Sequence, residues 1–217
     1  MIATMILAAV TGAGFPPPGT YRYTASMAGQ TIGSWSVTIA RDAADTEIDE
    51  TTSATVMGLQ LSATAALVLG SDLAPTKYSG SYHTPTQNPT VSVVLTQTAA
   101  TVVGALNSQP QQIVLGANTR HFVVIEPGLL AGVFALPAQL DAWKDPAVTW
   151  ITPASAQAQA LATNPTTPIV RPAGVPAGDA VVSIGHPITV TIWYDPSSFV
   201  PDEISVPSQN AILTRVR

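Results

Sequence analysis

With 217 residues the chain has room for one domain with a substantial core. Only 10% of it is charged, with 8 Lys and Arg against 13 Asp and Glu and a net charge of -5. So few basic groups leave no electrostatic footprint for nucleic acid or for an anionic membrane surface. The lack of cysteine excludes disulfides, a thiolate nucleophile, cysteine-ligated zinc and a lipid-bearing cysteine.

Met1 to Val10 is an apolar run that gives way to Thr11, Gly12, Ala13 and Gly14. Its length and small-residue exit match the hydrophobic region and cleavage zone of a secretory signal. It departs from that template in having no basic residue ahead of the run, the first being Arg22. The expectation is a signal peptide over residues 1–13, with a disordered terminus or an added strand as the alternatives. The run is too short to span a bilayer. Residues 14–19 contain Phe15-Pro16-Pro17-Pro18-Gly19 and read as an extended linker. Residues 20–217 then form a single domain, and the location expected is periplasmic or secreted.

From Thr20 onward the chain alternates. Tyr21, Tyr23, Ala25 and Met27 interleave with Arg22, Thr24 and Ser26, and Trp35, Val37 and Ile39 with Ser34, Ser36 and Thr38. Period two puts one set of side chains on each face of a sheet. Gly29-Gln30 between these segments predicts a type II′ hairpin, and Gly33 a bulge or close backbone contact. Strands are expected over Thr46–Met57, Leu59–Leu69, Thr76–His83, Val91–Gln97, Thr101–Leu106, Gln112–Leu115 and Arg120–Ile125, about nine in meander order. The acidic stretch Asp45, Glu47, Asp49 and Glu50 reads as a solvated strand edge.

The period then changes. Leu129, Leu130, Val133, Phe134, Leu140 and Trp143 recur at helical spacing. Pro127 fits the first turn, which predicts a helical insert at about 127–144 that Pro137 should kink or split. Ala154–Thr163 reads equally as a short helix or an edge strand, and residues 146–179 give little further pattern. Strands resume at Val181–Ile184, Ile188–Tyr194, Glu203–Val206 and Ala211–Val216. The fold class expected is mainly β, a single antiparallel sheet, strongly curved or an incompletely closed barrel, packed on one helical segment.

The order of a strand, a Gly turn, "TIG" at Thr31–Gly33, a meander, "IEPGLL" at Ile125–Leu130 before the helix, and closing strands with "TVTIWYDPSS" and "EISVP" resembles a known group. It is similar to bacterial extracytoplasmic proteins of unknown function with the LolA/LolB-type curved, incompletely closed barrel. The resemblance implies a half-barrel wrapped around helical cover and transport of lipid moieties, and it transfers no catalytic residue. The lipid-bearing cysteine of LolB-type members is missing.

Catalytic signatures are missing too. There is no Gly-x-Ser-x-Gly elbow, His-Glu-x-x-His, P-loop or dinucleotide glycine pattern. His83, His121 and His186 lack ligand spacing on one element, and a site with Glu126 or Asp195 needs convergence in space. Asp195, Ser197 and Ser198 fit a turn as well as part of a hydrolase triad. The expectation is a non-enzymatic protein with no cofactor, no metal and no transmembrane span, its protein partners unspecified. Its partner would be a lipid or other apolar small molecule lined by Trp35, Val37, Leu61, Leu67, Tyr78, Tyr82, Leu130, Phe134 and Trp143. The competing expectation is a structural module of the cell envelope whose core these same groups fill.

Overall fold

The computed structural model describes residues 14–85, 90–95, 99–104, 107–115, 119–145, 147–163, 169–186 and 188–217. The expected signal segment, residues 1–13, lies outside them. The chain is mainly β. In order the strands are β1 (Gly19–Met27), β2 (Gln30–Arg41), β3 (Thr46–Val56), β4 (Leu59–Leu69), β5 (Pro75–His83), β6 (Thr90–Leu95), β7 (Ala99–Gly104), β8 (Asn107–Val114) and β9 (His121–Val124). The helix α1 (Ala131–Trp143) follows, then β10 (Val148–Thr152), β11 (Gln157–Ala160), β12 (Ala162–Thr163), β13 (Ala180–His186), β14 (Val190–Tyr194), β15 (Pro201–Val206) and β16 (Ala211–Val216).

Thirteen strands form one large sheet in the order β12-β13-β14-β15-β16-β1-β2-β3-β4-β5-β6-β7-β8. Each neighbour is antiparallel, and β1 pairs with β16, the last strand of the chain, through Ala25 and Leu213. The turns differ from the expected type. Ala28 and Gly29 have φ of 50° and 79°, and Met57 and Gly58 have 52° and 79°. Positive φ at both central residues makes these type I′ turns, whose twist matches that of the flanking strands. Gly33 sits beside a register shift at Ala25/Ser26, and a Cβ there would lie 2.2 Å from the Ser53 carbonyl oxygen. Only glycine lets β2 and β3 approach so closely. Pro110 falls inside β8 rather than between strands, on an edge of the sheet where a missing N–H costs no ladder bond.

The sheet is not the only one. β9 pairs in parallel with β10, which pairs antiparallel with β11. Arg120–Ile125 is therefore not the next strand of the meander. A parallel pair needs a long crossover, and α1 supplies it between β9 and β10. The ambiguous Ala154–Thr163 resolves into a short 3-10 turn and two short strands. α1 begins at Ala131 rather than Pro127 and runs unbroken through Pro137. Phe15 is buried in the core with the Arg41 guanidinium over its ring, so the segment before β1 does not simply extend into solvent.

The acidic stretch is also corrected. β3 lies between β2 and β4, and its strict alternation faces Glu47 and Asp49 outward but Ile48 and Glu50 inward. Glu50 is 2% exposed. Among the described residues, no helix is long and apolar enough to cross a membrane.

Candidate functional site

Cross-strand register sorts the inward side chains into rows. One row runs Ile39–Ile48–Leu67–Tyr78–Val93 across β2 to β6, all buried. Bulky groups directly opposite one another fill that half of the sheet. The next row, Val37–Glu50–Ala65–Gly80, is smaller. Glu50 there accepts hydrogen bonds from Leu130 N–H and Ala131 N–H at 2.5 and 2.8 Å. Those two amides open α1, whose N-cap residue Leu130 has no side-chain cap of its own. Beyond it lies Trp35–Thr52–Ala63–Tyr82, and then Leu213–Ala25–Gly33–Ala54–Leu61. Trp35, Tyr82, Leu61 and Leu213 stand at the ends of these rows, and Ala25, Gly33, Ala54 and Ala63 between them leave room.

The result is a cavity of about 360 Å³ above the small-residue rows. Ala25, Ala54 and Ala63 line it from the sheet, Ile125–Leu130 and Val133 from the segment entering α1, and Trp150 from β10. Four of the residues read from the sequence meet here: Trp35, Leu61, Tyr82 and Leu130. Val37, Leu67, Tyr78 and Phe134 lie elsewhere, in the packed core. Phe134 sets its ring 5.4 Å from Tyr21 and 6.3 Å from Tyr23. Trp143, at the far end of α1, stacks on His121 at 4.6 Å and donates from Nε1 to the Asp72 carbonyl at 2.8 Å. Sequence reading weighed Glu126 only as a metal ligand and passed over Trp150 and the alanines. The one available signal was inward alanine at successive alternating positions, which speaks of room only once register is known.

The cavity's polar groups are few. Glu126 lines it, 5% exposed, and accepts from Ala154 N–H at 2.9 Å. Burial pushes its carboxyl pKa up, against the pull of the Ala154 amide and the Tyr82 hydroxyl. Tyr82 donates to the Pro127 carbonyl at 2.9 Å, and burial beside Glu126 and Glu50 raises its phenol. Thr52 also lines the cavity and donates to Glu50 at 2.9 Å. Burial pushes Glu50 up to about 7, although Thr52 and the two helix amides hold it down. The buried Trp35 Nε1–H completes no hydrogen bond, yet it lies close enough to Glu50 to favour the ionised form. Among the described residues, neither Lys nor Arg contributes to the lining.

The other polar clusters tie neighbouring segments together. His121 Nδ1 and Asp145 lie 2.8 Å apart, and Asp145 also accepts from Ala147 N–H, which ties the end of α1 to β9 and the loop into β10. Ser197 and Ser198 donate to Asp195 at 2.7 and 3.0 Å within one turn, as short polar side chains do at chain reversals. Asp202, buried on β15, meets Arg215 and Arg217 at 3.4 and 3.0 Å. His83 borders the cavity, while the side chain of His186 lies outside the described residues. Among the described residues, no three His, Asp or Glu side chains group to hold a metal ion.

No family model and no curated protein matches the chain. Two solved structures do resemble it. A β-barrel-like protein of the domain of unknown function DUF1849 from Brucella abortus is 9% identical, with 94% of this chain and 97% of that one covered at a TM-score of 0.53. That likeness extends to the fold alone. A DUF1089 family protein from Pseudomonas aeruginosa is 8% identical, with 90% and 92% covered at a TM-score of 0.46. Neither is described as a LolA- or LolB-type protein.

Proposed function

We propose that this protein is a non-enzymatic extracytoplasmic binding protein for a lipid or other apolar small molecule. The guest sits between α1 and the large sheet, which in this reading curves into an incompletely closed barrel with the helix as cover. The observation that carries the proposal is the cavity of about 360 Å³, within the size range of small-ligand sites and lined mainly by apolar groups with a few polar ones. The signal-like run at Met1–Val10 supports the extracytoplasmic location. The LolA/LolB-type resemblance supports the lipid class of guest.

Native mass spectrometry of protein purified from its own host tests the reading. Mass increments that an organic extraction removes are the expected result. Clean apo protein, together with no change in Trp fluorescence on adding medium-chain apolar compounds, overturns it. That outcome favours a structural module of the cell envelope, the reading that the packed rows around Ile48 and Leu67 recommend.

A further inference from the structure

We infer that the cavity selects an apolar guest whose polar end is an uncharged hydroxyl, and that it rejects the matching carboxylate. This rests on the reading above and narrows its ligand class.

Three observations converge. First, the cavity wall offers an acceptor. Glu126 in the lining is a buried carboxyl with acceptor capacity beyond the bond from Ala154. A guest hydroxyl donates to it, whereas a carboxylate only accepts.

Second, the local charge opposes an anion. Two buried carboxyls, Glu126 in the wall and Glu50 behind Thr52, flank the site, and among the described residues no Lys or Arg lines it. A third negative group in such surroundings meets like charge without a counter-ion and gives up its water for nothing. Third, the approach carries no charge either. No Asp, Glu, Lys or Arg occurs from Tyr23 to Ala40, Thr51 to Ser71, Tyr78 to Thr119 or Ile204 to Thr214. These stretches supply the sheet side of the cavity, so no basic rim recruits an anionic head.

Calorimetric titration of the whole chain at pH 8 with two probes of equal chain length, 1-decanol and decanoate, decides the matter. Decanol is expected to bind at least about tenfold more tightly. Glu126→Gln should recover decanoate binding. Decanoate binding as tightly as decanol to the natural sequence overturns the inference and leaves the apolar-binding reading standing. Binding of neither probe counts against both. The comparison on the natural sequence needs no variant, so a substitution that fails to fold does not blunt the test.

Discussion

Glu50 caps a helix that begins 80 residues further along the chain: its carboxylate takes the Leu130 N–H at 2.5 Å. The first amides of a helix have no intrahelical partner, and the helix dipole favours negative charge there. Burial opposes that charge and wins, so the Glu50 carboxyl is pushed up to about 7. The contact joins β3 to the start of α1 at the boundary between the filled and the empty rows. Its protonation state therefore bears on the cavity as well as on stability.

A group whose pKa is higher folded than unfolded binds its proton more tightly in the native state. It stabilises most at low pH, and that contribution is lost as pH rises from the ordinary carboxyl value of 4.5 through about 7. The stability of the natural chain should fall across this window by up to about 3 kcal/mol from this group. Glu50→Gln keeps an oxygen for the two amides and presents a donor to Thr52, so its stability should be flatter with pH. Urea unfolding at pH 5 and pH 8 checks this. Equal slopes for the two proteins would sink the assignment.

Ala54→Leu is a direct test of empty space. Ala54 is buried yet lines the cavity, so the added atoms project into a void and not into packed neighbours. The melting temperature should change little, by the equivalent of less than about 1 kcal/mol, while decanol binding is lost. A large destabilisation would mean that the site is filled.

Gly33→Ala should destabilise strongly, by about 2–4 kcal/mol, because the new Cβ meets backbone of β3 at 2.2 Å and neither strand can yield without breaking its ladder. Gly178→Ala, where nothing lies within 4 Å, is the control and should be near neutral. Similar melting curves for the two variants would contradict the close approach of β2 and β3.

Trp143→Phe removes the bond to the Asp72 carbonyl but keeps a ring for His121 to stack on. A loss of about 1 kcal/mol in stability with unchanged guest binding is expected, since the ring lies outside the cavity. A weakened guest affinity in calorimetry would place this end of α1 in the binding site after all.

The large sheet was legible because alternation is a local signal. Leu59–Leu69 could be read off its own residues, and β4 has those bounds. The turn type at Ala28-Gly29 was not, since II′ and I′ differ by whether a non-glycine residue accepts positive φ, which the flanking strands' twist decides. Glu50 looked like its neighbours Glu47 and Asp49. What sets it apart is strand parity and two amides far along the chain. β10 was missed because Val148–Thr152 is short, and its partner β9 lies on the far side of α1 in the chain. In the site, Trp35, Leu61, Tyr82 and Leu130 were found by their size and facing, whereas Val37 and Leu67 share that facing but belong to filled rows. Size alone cannot separate a wall from a filler.

The cross-strand rows divide responsibility within each strand. On β3, Ile48 belongs to the packed half and Ala54 to the open half, only six positions apart. Selection on folding therefore bears chiefly on one end of the strands and selection on the guest on the other. A lineage could lengthen or shorten its cargo by exchanging single alanines for larger residues, and the half that makes the protein fold would not have to change.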